Sequence, residues 1–363
     1  MTSKLKPKHR IAIKVGSNVL SRKDSSLDIT RISALVDQIS ELRKQNYEVI
    51  LISSGAVAAG KARVKPKGKL DVVSSRQIFS SVGQARLINQ YYTFFDNHNM
   101  PWGQVLTTKE NFATRHHYLN QRNCMAAMLD NGIIPIVNEN DTISVTELMF
   151  TDNDELSGLV ATMMNCESLI ILSNIDGIYN GNPSDKNAQV ITTIDTQKDN
   201  IEEFIQSSKS SAGRGGMQTK YNIARKIAEE GVEVIIANGK RENILIDLVN
   251  NPETLCTRFI PSDKTTSTVK KWIAHSESFS KGEIHINQGA AEALTSNSAI
   301  SLLPIGITHI KGTFEAGDIV TIIAEDGKQI AVGCTAFSNE EVEQLIGQSN
   351  VKPIVHYDYL YID

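Results

Sequence analysis

Ile11-Ala12-Ile13-Lys14-Val15-Gly16-Ser17 is too short for a helix and too continuously apolar for a strand with one wet face. A brief, β-branched run closed by Gly-Ser reads as a strand buried on both sides. The same kind of run recurs at Val49–Ile52, Ile133–Val137, Leu169–Leu172 and Val232–Ala237. Stretches of helical period lie between several of them. Ile32, Leu35, Val36, Ile39 and Leu42 share one face of a helix that Asp28 or Thr30 can cap. Buried strands separated by amphipathic helices predict an α/β fold, a mostly parallel sheet sandwiched by helices.

This pattern ends near residue 260. Ser262-Asp263-Lys264-Thr265-Thr266-Ser267-Thr268 is polar and rich in threonine, and it reads as part of a linker over residues 261–276. Beyond it, short runs alternate with glycines at residues 282–286, 307–311, 319–323 and 330–332. The acidic pair before Gly327 suggests a hairpin turn, and one short helix is expected near Ala290–Leu294. The chain therefore divides into an α/β domain over 1–260, the linker, and a small, mainly β domain over 277–363.

Composition narrows the classes. The 363 residues are 40% hydrophobic and 21% charged, with 23 glycines and 9 prolines, which excludes collagen-like, disordered and disulfide-scaffold chains. Cys124, Cys166, Cys256 and Cys334 lie far apart, without metal-ligand or redox-motif spacing, so reduced thiols and a cytoplasmic location are expected. The basic start leads into only a five-residue apolar run, neither a signal peptide nor a membrane anchor. The net charge of -4 is uneven. Residues 277–363 hold 12 acids and 4 bases (net -8), whereas residues 1–276 hold 29 and 33 (net +4). A mildly basic body suits an anionic substrate, and an acidic tail argues against nucleic acid there.

In a sheet of this kind, ligands bind beyond the carboxyl ends of the strands. Lys14, followed by Gly16-Ser17, can aim at a phosphoryl group, although a lysine snorkelling at a strand end has the same sequence. Ser53-Ser54-Gly55-Ala56 precedes a helix and can form an anion hole or merely a cap. Gly55, Gly60 and Lys61 almost spell a P-loop, but Ala62 lacks the hydroxyl for Mg²⁺ and Ala-Val-Ala-Ala is helical, so that match is rejected. Asn138-Glu139-Asn140-Asp141 and Thr151-Asp152-Asn153-Asp154 are dense clusters of short polar side chains, able to bind an α-amino group, orient lysines or hold Mg²⁺. Gly213-Arg214-Gly215-Gly216-Met217-Gln218-Thr219-Lys220 opens a helix and is the strongest signal for phosphate. Two lysines, a glycine loop without a Walker pattern, and acidic residues to organise them suit phosphoryl transfer. No Ser-His-Asp order or zinc spacing competes, and no resident metal ligand set is read.

These motifs, from Ile13-Lys14-Val15-Gly16-Ser17 to Gly215-Gly216-Met217-Gln218-Thr219-Lys220, resemble the glutamate-phosphorylating branch of the amino-acid kinase superfamily. The resemblance covers nearly the whole chain, and the tail looks like a PUA domain. It implies ATP-dependent phosphorylation of the side-chain carboxylate of L-glutamate to L-glutamyl 5-phosphate, the first step towards proline. By matching motif positions, Lys14 and Lys220 would neutralise charge on the transferring phosphoryl group, held by Asp154. Ser54, Asp141 and Asn153 would bind glutamate, with Asn138 and Asn140 nearby. Lys14, Ser173, Asn174 and residues Arg214 to Lys220 would contact ATP, with Mg²⁺ carried mostly by substrate oxygens. The chain departs from the family pattern at Asn174, usually acidic, and at Arg214, usually a small hydroxyl residue; both bear on nucleotide affinity. The resemblance also implies inhibition by proline, a homodimer or homotetramer, and coupling to the next enzyme of the pathway. The rival readings are another kinase of the superfamily, of acetylglutamate or aspartate type, and an RNA-binding protein acting through the PUA-like domain.

Overall fold

A computed structural model describes residues 9–24, 26–113, 115–144, 153–183, 185, 187–196, 198, 217–262, 273, 280–296, 300–349 and 351–362. The chain forms two compact units, residues 1–109 with 122–265, and residues 110–121 with 266–363.

The first unit is built on an eight-stranded sheet in the order β3-β4-β2-β1-β5-β7-β8-β6. Its central strands are β1 (His9–Val15), β2 (Tyr47–Ser53), β4 (Ile134–Glu139), β5 (Ser168–Ser173) and β7 (Glu233–Asn238). These coincide with the five runs expected from sequence, β4 and β7 starting one residue after the runs at Ile133 and Val232, and they pair in parallel. The flanking strands β3 (Trp102–Thr107), β6 (Thr193–Ile194) and β8 (Thr257–Phe259) were not anticipated. Their reasons are physical: β3 has no continuous apolar run, with Gly103 and Gln104 inside it, and β6 and β8 span only two and three residues. The β7–β8 pair is antiparallel, so the sheet is mostly rather than wholly parallel.

Helix α1 (Ile29–Lys44) starts at Asp28, whose carboxylate accepts from the Arg31 N–H at 3.2 Å. Such caps contribute about 1 kcal/mol. The five apolar residues of its predicted stripe are buried, none above 2% exposure; each fully buried Leu or Ile contributes roughly 1.5–3 kcal/mol. Helices α2 (Ala56–Lys61) and α3 (Val72–Asn97) approach with almost no gap. A Cβ at Gly60 would lie 1.8 Å from the Phe79 carbonyl oxygen, and one at Gly83 would lie 1.7 Å from that of Ala56. Gly60 is therefore a helix-packing glycine and not part of a phosphate cradle. Helices α4 (Asn153–Met163), α5 (Met217–Glu229) and α6 (Ile244–Asn250) complete the elements that matter for the site.

The register aligns the carboxyl ends of the parallel strands. Thr107 pairs with Glu139, Val15 with both Ser53 and Leu172, and Ser173 with Asn238. The second unit carries a five-stranded sheet, β10-β9-β11-β12-β13. Strands β9 (Gly282–Ile286), β10 (Ile307–Gly312), β11 (Ile319–Ile323) and β12 (Gln329–Cys334) cover the four expected runs, and Gly327 turns the β11–β12 hairpin at φ +82°. Helix α7 (Gln288–Thr295) encloses the expected segment, while α8 (Asn339–Leu345) and β13 (Leu360–Ile362) are additional. The capping box of Ser338 with Glu341 was the available signal for α8. Of the proposed linker, residues 263–272 and 274–276 lie outside the described residues.

Candidate active site

Lys14 occupies the fourth of five consecutive core positions at the end of β1, only 5% exposed. An ammonium group there is costly without a counter-charge. Asp154, in the first turn of α4 and fully buried, supplies it: Lys14 Nζ contacts Asp154 Oδ1, and Lys220 Nζ donates to Asp154 Oδ2 at 2.7 Å. Lys220 stands in the first turn of α5, 206 positions along the chain from Lys14. Burial alone raises the Asp154 carboxyl, but the Lys14 and Lys220 charges outweigh it and hold it below the usual value of 3.8. Among the described residues two cations share this one carboxylate.

Asn153, next to Asp154, links it to the strand ends. Its amide nitrogen lies 3.0 Å from Ser54 Oγ and 2.9 Å from Asn138 Oδ1. Asn138 in turn donates to Gln84 Oε1 at 2.8 Å, which ties β4 to α3. The cap of α2 is Gly55, at φ +107° and with no side-chain cap, so Ser54 does not serve as the ordinary helix cap. Its hydroxyl accepts from Asn153 instead. Ser54, Asn138, Asn153 and Asp141 line one cavity of about 680 Å³, within the range of small-molecule sites. Asn140 does not line it; its side chain accepts a hydrogen bond from the Thr142 hydroxyl.

Arg76 and Glu139 are the residues that sequence reading left without a role. Arg76, on α3, donates to Asp141 Oδ1 from Nε at 3.1 Å and from Nη2 at 2.6 Å, and to Glu139 Oε2 at 3.1 Å. Burial pushes the Asp141 carboxyl above its usual value, and the Arg76 charge and hydrogen bonds only partly offset that shift. Glu139 belongs to the polar cluster Asn138–Asp141. Arg76 carried no signal, since its partners lie 63 and 65 residues away in sequence.

The nucleotide candidates are divided. Ser173 is buried at the end of β5 and Asn174 is exposed, with their side-chain oxygens 3.5 Å apart. Met217, Gln218, Thr219 and Lys220 form the half-buried first turn of α5. Arg214, Gly215 and Gly216, like Asp152, lie outside the described residues. Nearby in sequence, Asp176 accepts from Arg241 at 2.7 Å and from Asn238 at 3.0 Å, and the Arg241 hydrogen bond is the main cause holding its carboxyl below the usual range.

A mostly parallel α/β sheet with two lysines converging on one buried aspartate beyond its strands fits a phosphotransferase of the amino-acid kinase kind. Comparison with known proteins agrees. The model for the amino acid kinase family matches residues 9–238, and that for the PUA domain matches residues 282–357. Over 355 residues the chain is 63% identical to a glutamate 5-kinase of Bacteroides thetaiotaomicron, covering 98% of each. It is 45% identical over 358 residues to one from Chlorobaculum tepidum, covering 97% of each. A solved isopentenyl phosphate kinase shares the fold, with a TM-score of 0.50 at 17% identity, covering 69% of this chain and 100% of that one. The chain belongs to the amino acid kinase family, within the group of glutamate 5-kinases.

Proposed function

We propose that this chain transfers the γ-phosphoryl group of ATP to the side-chain carboxylate of L-glutamate, giving L-glutamyl 5-phosphate and ADP. The observation that carries the chemistry is the convergence of Lys14 and Lys220 on buried Asp154. One oxygen of the substrate carboxylate attacks the γ-phosphorus. The bond to the bridging oxygen breaks, and its electron pair leaves with ADP. A carboxylate is already ionised at neutral pH, so no general base is needed. Lys14 and Lys220 stabilise the charge spread over the phosphoryl oxygens, and Asp154 keeps both in place without reorganisation.

The substrate assignment draws on the full-length glutamate 5-kinase relatives. In this reading Ser54, Asn138, Asn153 and Asp141 receive the amino acid, while Ser173, Asn174 and the segment from Arg214 to Lys220 receive ATP. A divalent cation, proposed as Mg²⁺, supplies further charge neutralisation on the phosphates. Its ligands would come mainly from ATP oxygens. The kinase chemistry is assigned to residues 1–260, with residues 277–363 as the PUA-like domain. Among the described residues no helix is long and apolar enough to cross a membrane. A cytoplasmic setting is proposed from the cysteine spacing. Proline inhibition, homo-oligomer formation and coupling to the next enzyme are proposed from the family resemblance. Hydroxamate trapping of the acyl phosphate tests the reaction: L-glutamate gives product and N-acetyl-L-glutamate does not. Product from N-acetyl-L-glutamate alone overturns the assignment in favour of an acetylglutamate-type kinase.

A further inference from the structure

The cavity beside Asn153 holds an arrangement that phosphoryl transfer does not require. Two carboxylates, Glu139 and Asp141, face a single guanidinium, that of Arg76. The side chains of Glu139 and Asp141 are 2% and 7% exposed, whereas that of Arg76 is 21% exposed, and all three line the cavity. By itself the trio carries a formal charge of minus one.

An α-amino acid presents its ammonium and its carboxylate on the same carbon. Wherever Asp141 takes the ammonium, the α-carboxylate must lie within one further bond length or two. The cation in contact with Asp141 is Arg76, through two nitrogens. Lys61, the other cationic residue lining the cavity, has its ammonium above the Phe79 ring, 5.9 Å from the centroid. A guanidinium also matches a carboxylate in plane and donor spacing, which an ammonium does not.

We propose that Arg76 binds the α-carboxylate of the acceptor, so that Arg76 and Asp141 together recognise the zwitterionic head of an amino acid. The inference rests on the reading of L-glutamate as acceptor. The guanidinium donates to Asp141 and Glu139. When the amino acid enters, its ammonium takes over part of that role and its carboxylate takes up guanidinium donors. Arg76 thus prevents two buried carboxylates from facing each other alone, and it rejects acids that lack the second carboxylate.

The test uses three acceptors with the full-length enzyme: L-glutamate, 4-aminobutyrate, which lacks only the α-carboxylate, and glutarate, which lacks only the ammonium. Arg76→Gln is expected to lower kcat/KM for L-glutamate by roughly 10- to 100-fold, mostly through KM, the size of a lost charge-assisted hydrogen bond. Glutarate should suffer a similar loss. For 4-aminobutyrate, read by turnover or by its competition with L-glutamate, the change should stay within about threefold, since it has no group for Arg76 to hold. Arg76→Lys, which retains charge but not the fork, should fall between and guards against misfolding of the glutamine variant. An equal loss for L-glutamate and 4-aminobutyrate would make Arg76 a mere support for Asp141 and overturn the proposal. Loss of the preference for L-glutamate in Lys61→Gln but not in Arg76→Gln would overturn it too. Wild-type enzyme that phosphorylated none of the three would instead overturn the substrate assignment.

Discussion

The two charged clusters of the first unit have opposite stoichiometry. Around Asp154, two ammonium groups share one carboxylate; around Arg76, one guanidinium is shared by two carboxylates. Both are largely buried, and Asn153 bridges them, adjacent to Asp154 and bonded to Asn138, one residue before Glu139. Under the proposed function, a substrate with a carboxylate at one end and an ammonium at the other would be oriented by this pair of clusters. The comparison separates roles. In the proposed function, the positive cluster would serve the phosphoryl group in the transition state and the negative cluster would serve binding.

Removing a lysine from the positive cluster should have the largest effect. Lys220→Ala or Lys14→Ala is expected to lower kcat by about two to four powers of ten, with little change in the KM for L-glutamate, since preorganised charge acts on the transition state. Steady-state kinetics beside circular dichroism would check this; near-normal turnover in Lys220→Ala would break the division of labour.

A smaller effect is expected at the other cluster. Asp141→Ala should raise the KM for L-glutamate about 10- to 100-fold, the cost of one charged contact, with a milder fall in kcat. A fall confined to kcat would reverse the assignment of the two clusters.

The smallest and sharpest difference concerns pH. Burial raises the Asp141 carboxyl, so affinity for L-glutamate should begin to fall at a pH above the ordinary carboxylate value of 3.8. Arg76→Gln removes the opposing charge and should move that acid limb of kcat/KM to higher pH. Asp154, held below 3.8 despite its burial, stays ionised over the same interval and adds no limb to kcat. For folding the signs are opposite. The lowered Asp154 contributes stability that is present above its unfolded value and lost as pH falls through its folded value. The raised Asp141 favours the fold below its unfolded value, and that contribution is lost as pH rises through its folded value. Profiles of kcat and kcat/KM for wild type and Arg76→Gln would show whether the limb moves; a limb that stays fixed removes Asp141 as its source.

Legibility followed burial and locality. The central strands were readable because a strand covered on both faces must be continuously apolar, and α1 because its stripe repeats every three to four residues. Strand β3 was not readable, because its half-exposed positions impose no such pattern. Lys14 stood out because it breaks an apolar run, and Lys220 because glycines precede it. Asn140 sits in the same polar cluster as Asp141, yet the local chain turns it onto Thr142, a choice composition alone does not contain.

The sequence by itself determined the α/β class, because buried strands and amphipathic helices each leave a pattern within a few dozen positions. Only the tertiary structure decided that Lys14 and Lys220 meet on one aspartate and that Arg76 faces Glu139 and Asp141. Those meetings depend on strand order and helix packing, which bring together side chains tens to hundreds of residues apart. Charge acts through space, so its partners need leave no trace along the chain.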